Sequence, residues 1–190
     1  MLTIYFEPHA ASVDNLTGIA SGHHDSELSE TGRRQARVDK RPRILPLGVE
    51  VAFTSDLRRA YETAAIVFEG TGTPILRDPR LRECDYGDLT REPRELVFRE
   101  RERAVDRPFP NGESYTQVVE RVRGFLEEAA EKYPGSKVFI VGHFATLVGL
   151  ESCIKGAPIE ESFKLDYGEI EFPLRYEFRG RDPPSQSREP

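Results

Sequence analysis

The sequence predicts an α/β fold with a largely parallel sheet, and three observations carry that expectation. Short apolar runs alternate along the chain with longer stretches of helical periodicity, the pattern of strands joined by crossover helices. His9, Arg59 and His143 lie just past such runs, and in open parallel sheets ligands bind beyond the carboxyl ends of the strands. The 190 residues amount to about one domain of chain, and no internal repeat divides them.

Leu2–Phe6 is apolar and rich in β-formers, so it reads as a buried strand ending at Glu-Pro-His. Ser29 is placed to cap a helix running to about Asp39, with Pro42 and Pro46 barring helix beyond it. Val51–Thr54 is a second strand. Ser55 or Asp56 is expected to cap the next helix, whose apolar Leu57, Ala60, Ala64 and Val67 recur at helical spacing and which ends at Gly70 and Gly72. Residues 74–76 form a short third strand.

The stretch 77–107 holds nine arginines and nine acidic residues. It reads either as a solvated helix laced with salt bridges or as a mobile cover over a site. Ser114-x-x-Gln117 is a capping-box pattern opening a helix that buries Val118, Val122, Phe125 and Ala129 on one face and closes at Pro134-Gly135. Lys137–Val141 is a strand leading into Gly142-His143. A helix is expected over 145–154 and an edge strand over 172–178, where Pro173 is tolerated. The domain is expected to span 1–179, with a disordered tail over 180–190.

Composition narrows the function. Charged residues make up 32% of the chain and the formal net charge is −6. No basic run marks a nucleic-acid surface, and an anion site would have to be local. Cys84 and Cys153 form neither a disulfide framework nor a zinc pattern. His23-His24-Asp25 does not supply three ligands of defined geometry, so no metal is expected. No run approaches the ~20 apolar residues of a membrane span, and the short apolar N-terminus lacks a basic lead. A cytoplasmic location is the resulting expectation.

The residue types at the strand ends fit one chemistry. A neutral imidazole is a nucleophile toward phosphorus, arginine grips phosphoryl oxygens as a rigid fork, and a carboxylic acid can protonate a leaving alkoxide. His9, Arg59 and His143 supply the imidazoles and the arginine, and a glutamate would complete the set.

The order and spacing of several blocks resemble the histidine phosphatase superfamily, the phosphoglycerate-mutase-like group. Pro8-His9-Ala10-Ala11-Ser12-Val13-Asp14-Asn15 is similar to its signature Arg-His-Gly-x-Ser/Thr-x-x-Asn, and residues 21–32 resemble its following loop and helix start. Ser55 to Ala64 resembles Ser-x-Leu-x-Arg-Ala-x-x-Thr-Ala. Leu81 to Gly87 resembles Leu-x-Glu with a later glycine, Gly112-Glu113-Ser114 matches Gly-Glu-Ser, and Val141-Gly142-His143 matches the last Val-x-His. The blocks cover roughly residues 2–150.

The resemblance implies a three-layer α/β/α sandwich with a mostly parallel central sheet. It implies phosphomonoester hydrolysis of a small phosphorylated metabolite through a phosphohistidine at His9. Arg59 would grip the phosphoryl oxygens, His143 would be the second imidazole, and Glu83 the proton donor. Asn15 and the backbone N–H of Phe144 would add donors, and Ser12, Ser21, Gly22 and His23 would meet the rest of the substrate. No cofactor is implied. The expected partner is the phosphorylated substrate, with a second copy in a homodimer as a possible assembly, and no nucleic acid or membrane.

Three positions depart from the pattern. Pro8 replaces the first arginine, Ala10 the glycine, and Phe144 follows the last histidine. Losing a charge-assisted bond to phosphate forgoes about 1.5–3 kcal/mol, unless Arg82, Arg58 or Arg33 reaches in from elsewhere. Pro8 therefore raises an alternative: a catalytically weak or inactive relative that binds a phosphorylated or anionic ligand. A mutase is less expected, because Cys84 to Gly87 lacks the arginine of the mutase-like pattern and the segment between Gly87 and Gly112 is short.

Overall fold

The computed structural model describes residues 1–165 and 167–180, so residues 181–190, the greater part of the expected disordered tail, lie outside the described residues. Five strands form one sheet: β1 (Leu2–Pro8), β2 (Val51–Thr54), β3 (Ile75–Arg77), β4 (Lys137–Gly142) and β5 (Leu174–Phe178), in the order β3-β2-β4-β1-β5. The pairs β2–β3, β2–β4 and β1–β4 are parallel, and β5 runs antiparallel along β1 at the edge.

The helices are α1 (Val13–Leu16), α2 (Glu30–Arg34), α3 (Arg41–Ile44), α4 (Arg58–Val67), α5 (Arg94–Glu100), α6 (Tyr115–Lys132), α7 (Phe144–Leu150) and α8 (Ile159–Ser162). Strand alternation sends side chains to opposite faces of the sheet. Ile4, Phe6, Phe53, Val138 and Ile140 bury against α6 and α7. Ala52, Phe139 and Val141 bury against α3 and α4, through Ile44, Ala60, Ala64 and Val67. Helices on both faces make the three layers. The capping box opening α6 is present as the sequence predicts, with Ser114 Oγ accepting from Gln117 N–H and Gln117 Oε1 accepting from Ser114 N–H.

Several elements differ from expectation. β1 runs through Glu7 to Pro8 instead of stopping at Phe6. The ladder to β4 uses the N–H groups of odd-numbered residues, from Thr3 to His9, so the missing N–H of Pro8 faces the β5 side, where pairing has already ended at Phe6. Pro8 therefore costs the sheet no bond. Helical structure also continues past Asp39, through a π segment Gln35–Lys40, α3 and a 3-10 turn Leu45–Leu47. Arg41 N–H reaches back five residues to Ala36 O, and proline is accommodated where the register changes, because a donor is orphaned there anyway.

Leu57, not Ser55 or Asp56, is the N-cap of α4. Ser55 is bonded to His143 and Asp56 to Arg82. Within 77–107 the α-helix is confined to α5; Arg77 closes β3, Pro79–Leu81 and Gly87–Leu89 are 3-10 turns, and the rest is irregular. The edge strand begins at Leu174 rather than Phe172, and β3 ends at Arg77. Among the described residues no helix is long and apolar enough to cross a membrane.

Candidate active site

The strands β2, β4 and β1 are neighbours and parallel, so their carboxyl ends share one edge of the sheet. β1 leads directly into His9, β4 into His143, and β2 into Ser55, three residues before α4 begins and carries Arg59. Residues far apart in sequence thus meet because the sheet order makes their strands adjacent.

His9 donates from Nδ1 to the carbonyl of Ala10 at 2.7 Å. That bond fixes the proton on Nδ1 and leaves Nε2 unprotonated, able to accept from Arg59 Nε–H. Arg59 Nε lies 3.3 Å from Nε2. Burial, then the charge of Arg59, lowers the His9 pKa to about 3, with Lys40 adding to the effect. The loop after His9 is held by α2, where a Cβ on Gly32 would meet the carbonyl oxygen of Ala11 at 2.0 Å. It is held also by Thr63, which accepts from Ala10 N–H at 3.0 Å.

Arg59 is fully buried. Its Nη1 and Nη2 donate to the carbonyls of His24 and Gly22 at 2.9 and 2.8 Å, which aims the remaining Nε–H at His9. The His143 ring centroid lies 4.9 Å from that of His9. Nε2 of His143 is 2.6 Å from Ser55 Oγ, and Nδ1 is buried with no partner in the protein. Burial, with Arg59 and His9 next, keeps the His143 pKa well below the ordinary imidazole value. Buried polar atoms are rarely orphaned, and this one belongs to a ring lining the cavity over His9.

Glu83 lines the same cavity. Its Oε1 accepts from the backbone N–H groups of Cys84 and Ala145 at 2.9 and 3.0 Å, which pins the carboxyl across from the imidazoles. Its own carbonyl is bonded by His23 and Arg121.

Of the remaining residues singled out in the sequence, Asn15, Ser21, Gly22 and Phe144 line the cavity. Ser21 Oγ is a second buried atom with no partner. Phe144 opens α7, so its N–H has no acceptor within the helix. Ser12 and His23 do not line the cavity. Ser12 is buried and caps α1, and His23 turns toward the Glu83 carbonyl and Asp85.

The cations considered as replacements for the arginine absent at Pro8 are engaged elsewhere. Arg82 is paired with Asp56, Arg58 with Glu27 and Glu62, and Arg33 with Glu62. Glu7 does not face the site. It is buried in an ion cluster with Lys40 and Arg43, and Lys40 also donates to the Pro8 carbonyl at 3.1 Å.

The cavity has a volume of about 720 Å³. Sequence reasoning missed Ser55 as a partner of His143, since nothing local signals a bond across 88 positions. It also missed Arg94, Val97, Phe98 and Arg101, which line one side of the cavity. Their i, i+3, i+4, i+7 spacing was a readable sign of one helix face. Among the described residues no cluster of three or more His, Cys, Asp or Glu is placed to hold a metal ion.

The model of the histidine phosphatase superfamily (branch 1) matches residues 4–177. A protein of Cronobacter sakazakii named probable phosphoglycerate mutase GpmB is 36% identical over 166 residues, covering 83% of this chain and 77% of its own. The structure of Bacillus stearothermophilus YhfR aligns with a TM-score of 0.77 at 28% identity, covering 88% of this chain and 86% of that one. A mycobacterial glucosyl-3-phosphoglycerate phosphatase in complex with VO3 aligns with a TM-score of 0.71 at 27% identity, covering 87% and 86%.

Proposed function

The chain belongs to branch 1 of the histidine phosphatase superfamily, and from that premise we propose that it hydrolyses the phosphomonoester of a small metabolite through a phosphohistidine at His9. The observation that carries the reading is the unprotonated Nε2 of His9: the Nδ1–H bond to Ala10 keeps the proton off it, and it accepts from Arg59 Nε–H at 3.3 Å, a bond that incoming phosphoryl oxygens can take over.

In the first step the Nε2 lone pair attacks phosphorus and the ester P–O bond breaks. Arg59 and the second imidazole, His143, stabilise charge on the equatorial oxygens. Glu83, as the carboxylic acid, gives its proton to the departing alkoxide. In the second step Glu83, now the carboxylate, takes a proton from water, which attacks the phosphohistidine and releases inorganic phosphate and neutral Nε2. The mechanism uses no metal or organic cofactor.

Two kinds of relative bear on the reading. Curated relatives carry the name of a probable mutase, while a structural neighbour is named a phosphatase. Hydrolysis is favoured here because the chain lacks the mutase-like arginine near Cys84 and has a short segment between Gly87 and Gly112. One observation favours a binding role instead: Pro8 lines the cavity where the pattern has a cation, and none of Arg82, Arg58 and Arg33 lines it.

The test is p-nitrophenyl phosphate turnover from about pH 5 to 8 with wild type and His9→Ala, together with acid-quench trapping of the phosphoenzyme. Turnover abolished by His9→Ala, with an acid-labile adduct on the wild type, supports the hydrolase. Ligand binding without turnover, across a panel of phosphorylated metabolites, sinks it and leaves the binding role.

A further inference from the structure

Resting on the phosphatase reading of the His9 site, we propose that the far half of the same cavity is a subsite for an apolar, ring-sized alcohol. The substrate class is then the phosphomonoester of an aromatic or arylalkyl alcohol, not of an acidic or hydroxyl-rich three-carbon compound.

The first observation is where the exposed apolar side chains lie. Leu16, Phe98, Leu165 and Tyr167 are 59%, 52%, 40% and 37% exposed, and all four line this cavity. They come from α1, α5 and the segment after α8, so they are distant in sequence and converge only here. Single exposed apolar residues are ordinary, but a contiguous group rimming a concave site marks ligand binding.

The second observation is a wall of rings that starts beside the phosphoryl end. Phe144, next to His143, lies 6.2 Å from Phe163 and 6.0 Å from Tyr167 between centroids, and Tyr115 lies 4.9 Å from Phe163. A flat apolar group bound to the oxygen leaving His9 would lie against these rings in the edge and offset contacts that aromatic groups favour.

The third observation is how the cations along this wall are used. Arg101 donates to the Phe163 carbonyl at 2.5 Å, and its guanidinium sits 5.0 and 5.1 Å from the ring centroids of Phe98 and Phe163. It ties α5 to the segment that ends α8, with one Nη spent on that carbonyl and the guanidinium plane set against the two rings. Arg94 is drawn to the Asn15 carbonyl at 2.7 Å. Glu83 is the acidic side chain in the lining, and it is taken by the proton-transfer role. A cavity of about 720 Å³ also holds far more than a phosphoryl group and three carbons.

The experiment compares 2-phenylethyl phosphate with glycerol 3-phosphate and 3-phosphoglycerate, alkyl esters that all release a poor leaving group. Phosphate release gives kcat/KM on the wild type, and calorimetry on His9→Ala gives affinity without turnover. The arylalkyl ester is expected to lead by at least about tenfold in both, the discrimination an apolar pocket delivers. Phe98→Ala should narrow that ratio, whereas Leu96→Ala, on the same helix but outside the cavity, should not. Equal or reversed ratios overturn the subsite and leave the phosphatase reading standing. Release from none of the esters counts against the phosphatase reading, and the calorimetric ratio then decides the subsite alone.

Discussion

Arg59 Nε–H donates to His9 Nε2 across 3.3 Å, and the arginine that polarises the site adds to burial in keeping the imidazole neutral. Burial and this charge hold His9 at about 3, and His143 is likewise held well below its ordinary value. In the unfolded chain both titrate near ~6.5. Between those values the unfolded state binds more protons than the folded one. The stabilisation is therefore complete above ~6.5 and is lost as pH falls toward 3. Urea midpoints should drop between pH 7 and 5, above the range where most carboxylates titrate, and should drop less in His143→Gln. A wild-type midpoint flat over that range would show that the imidazoles are not held neutral.

The same argument applies to catalysis. With His9 neutral across the working range, kcat/KM should show no acid limb near pH 6.5 arising from the nucleophile. An acid limb there that persists when Glu83 is replaced, and that is not the ester's own second phosphate ionisation at ~6, would contradict the assignment of Nε2 as unprotonated at rest.

Ser55 reaches His143 at 2.6 Å from just past the end of β2 and is, among the described residues, the side chain bonded to that ring. A serine hydroxyl can donate or accept, so this bond couples the His143 tautomer to Ser55; when Ser55 donates to Nε2, the ring proton sits on Nδ1, the atom left without a partner. Removing such an orienting partner commonly costs about 10- to 100-fold. Ser55→Ala is expected to lower kcat by that order with KM little changed. It should also destabilise the fold by about 1–3 kcal/mol through the orphaned Nε2. Nitrogen-15 shifts of the ring decide between positioning and packing: an unchanged tautomer in Ser55→Ala would leave packing alone.

Pro8 is the site's missing cation. It lines the cavity, and the N–H that proline lacks lies on a side where strand pairing has ended, so an arginine backbone there leaves the β1 ladder unchanged. A charge-assisted bond to phosphate contributes about 1.5–3 kcal/mol, or roughly ten- to a hundredfold in rate if realised in the transition state. Pro8→Arg should raise kcat/KM by that order and tighten inhibition by vanadate. No gain in either would show that the field of Arg59, with Lys40 behind Pro8, already does what the lost side chain would do.

Much of this was legible in the sequence because it is local or periodic. The strand runs before His9, Arg59 and His143, the capping box at Ser114 and the helical spacing from Val118 to Ala129 each signal themselves within a few residues. The continuation of helix past Pro42 was not legible, since proline bars a regular α turn and the π register that accommodates it leaves no compositional mark. The cap of α4 was misread because Ser55 and Asp56 are good caps in isolation, and tertiary partners, His143 and Arg82, claim both side chains. The aromatic half of the cavity went unseen because its rings arrive from α5, α6, α7 and the segment after α8, which only the fold brings together.

Glu83 offers the sharpest test of the proton-transfer step. Its Oε1 accepts two backbone N–H bonds, and the amide oxygen of glutamine can accept the same two, so Glu83→Gln should fold normally. The amide cannot deliver a proton to an alkoxide. An alkyl ester releases a strongly basic oxygen and needs that proton, so its kcat should fall by about 10²- to 10⁴-fold. p-Nitrophenyl phosphate releases a weakly basic phenolate, so its phosphorylation step should fall far less. The phosphohistidine should then accumulate, because the water that hydrolyses it has lost its base. Burst kinetics read both effects at once. An equal loss on both esters with no burst would mean that Glu83 holds the loop around Cys84 and Ala145 in place and takes no part in moving the proton.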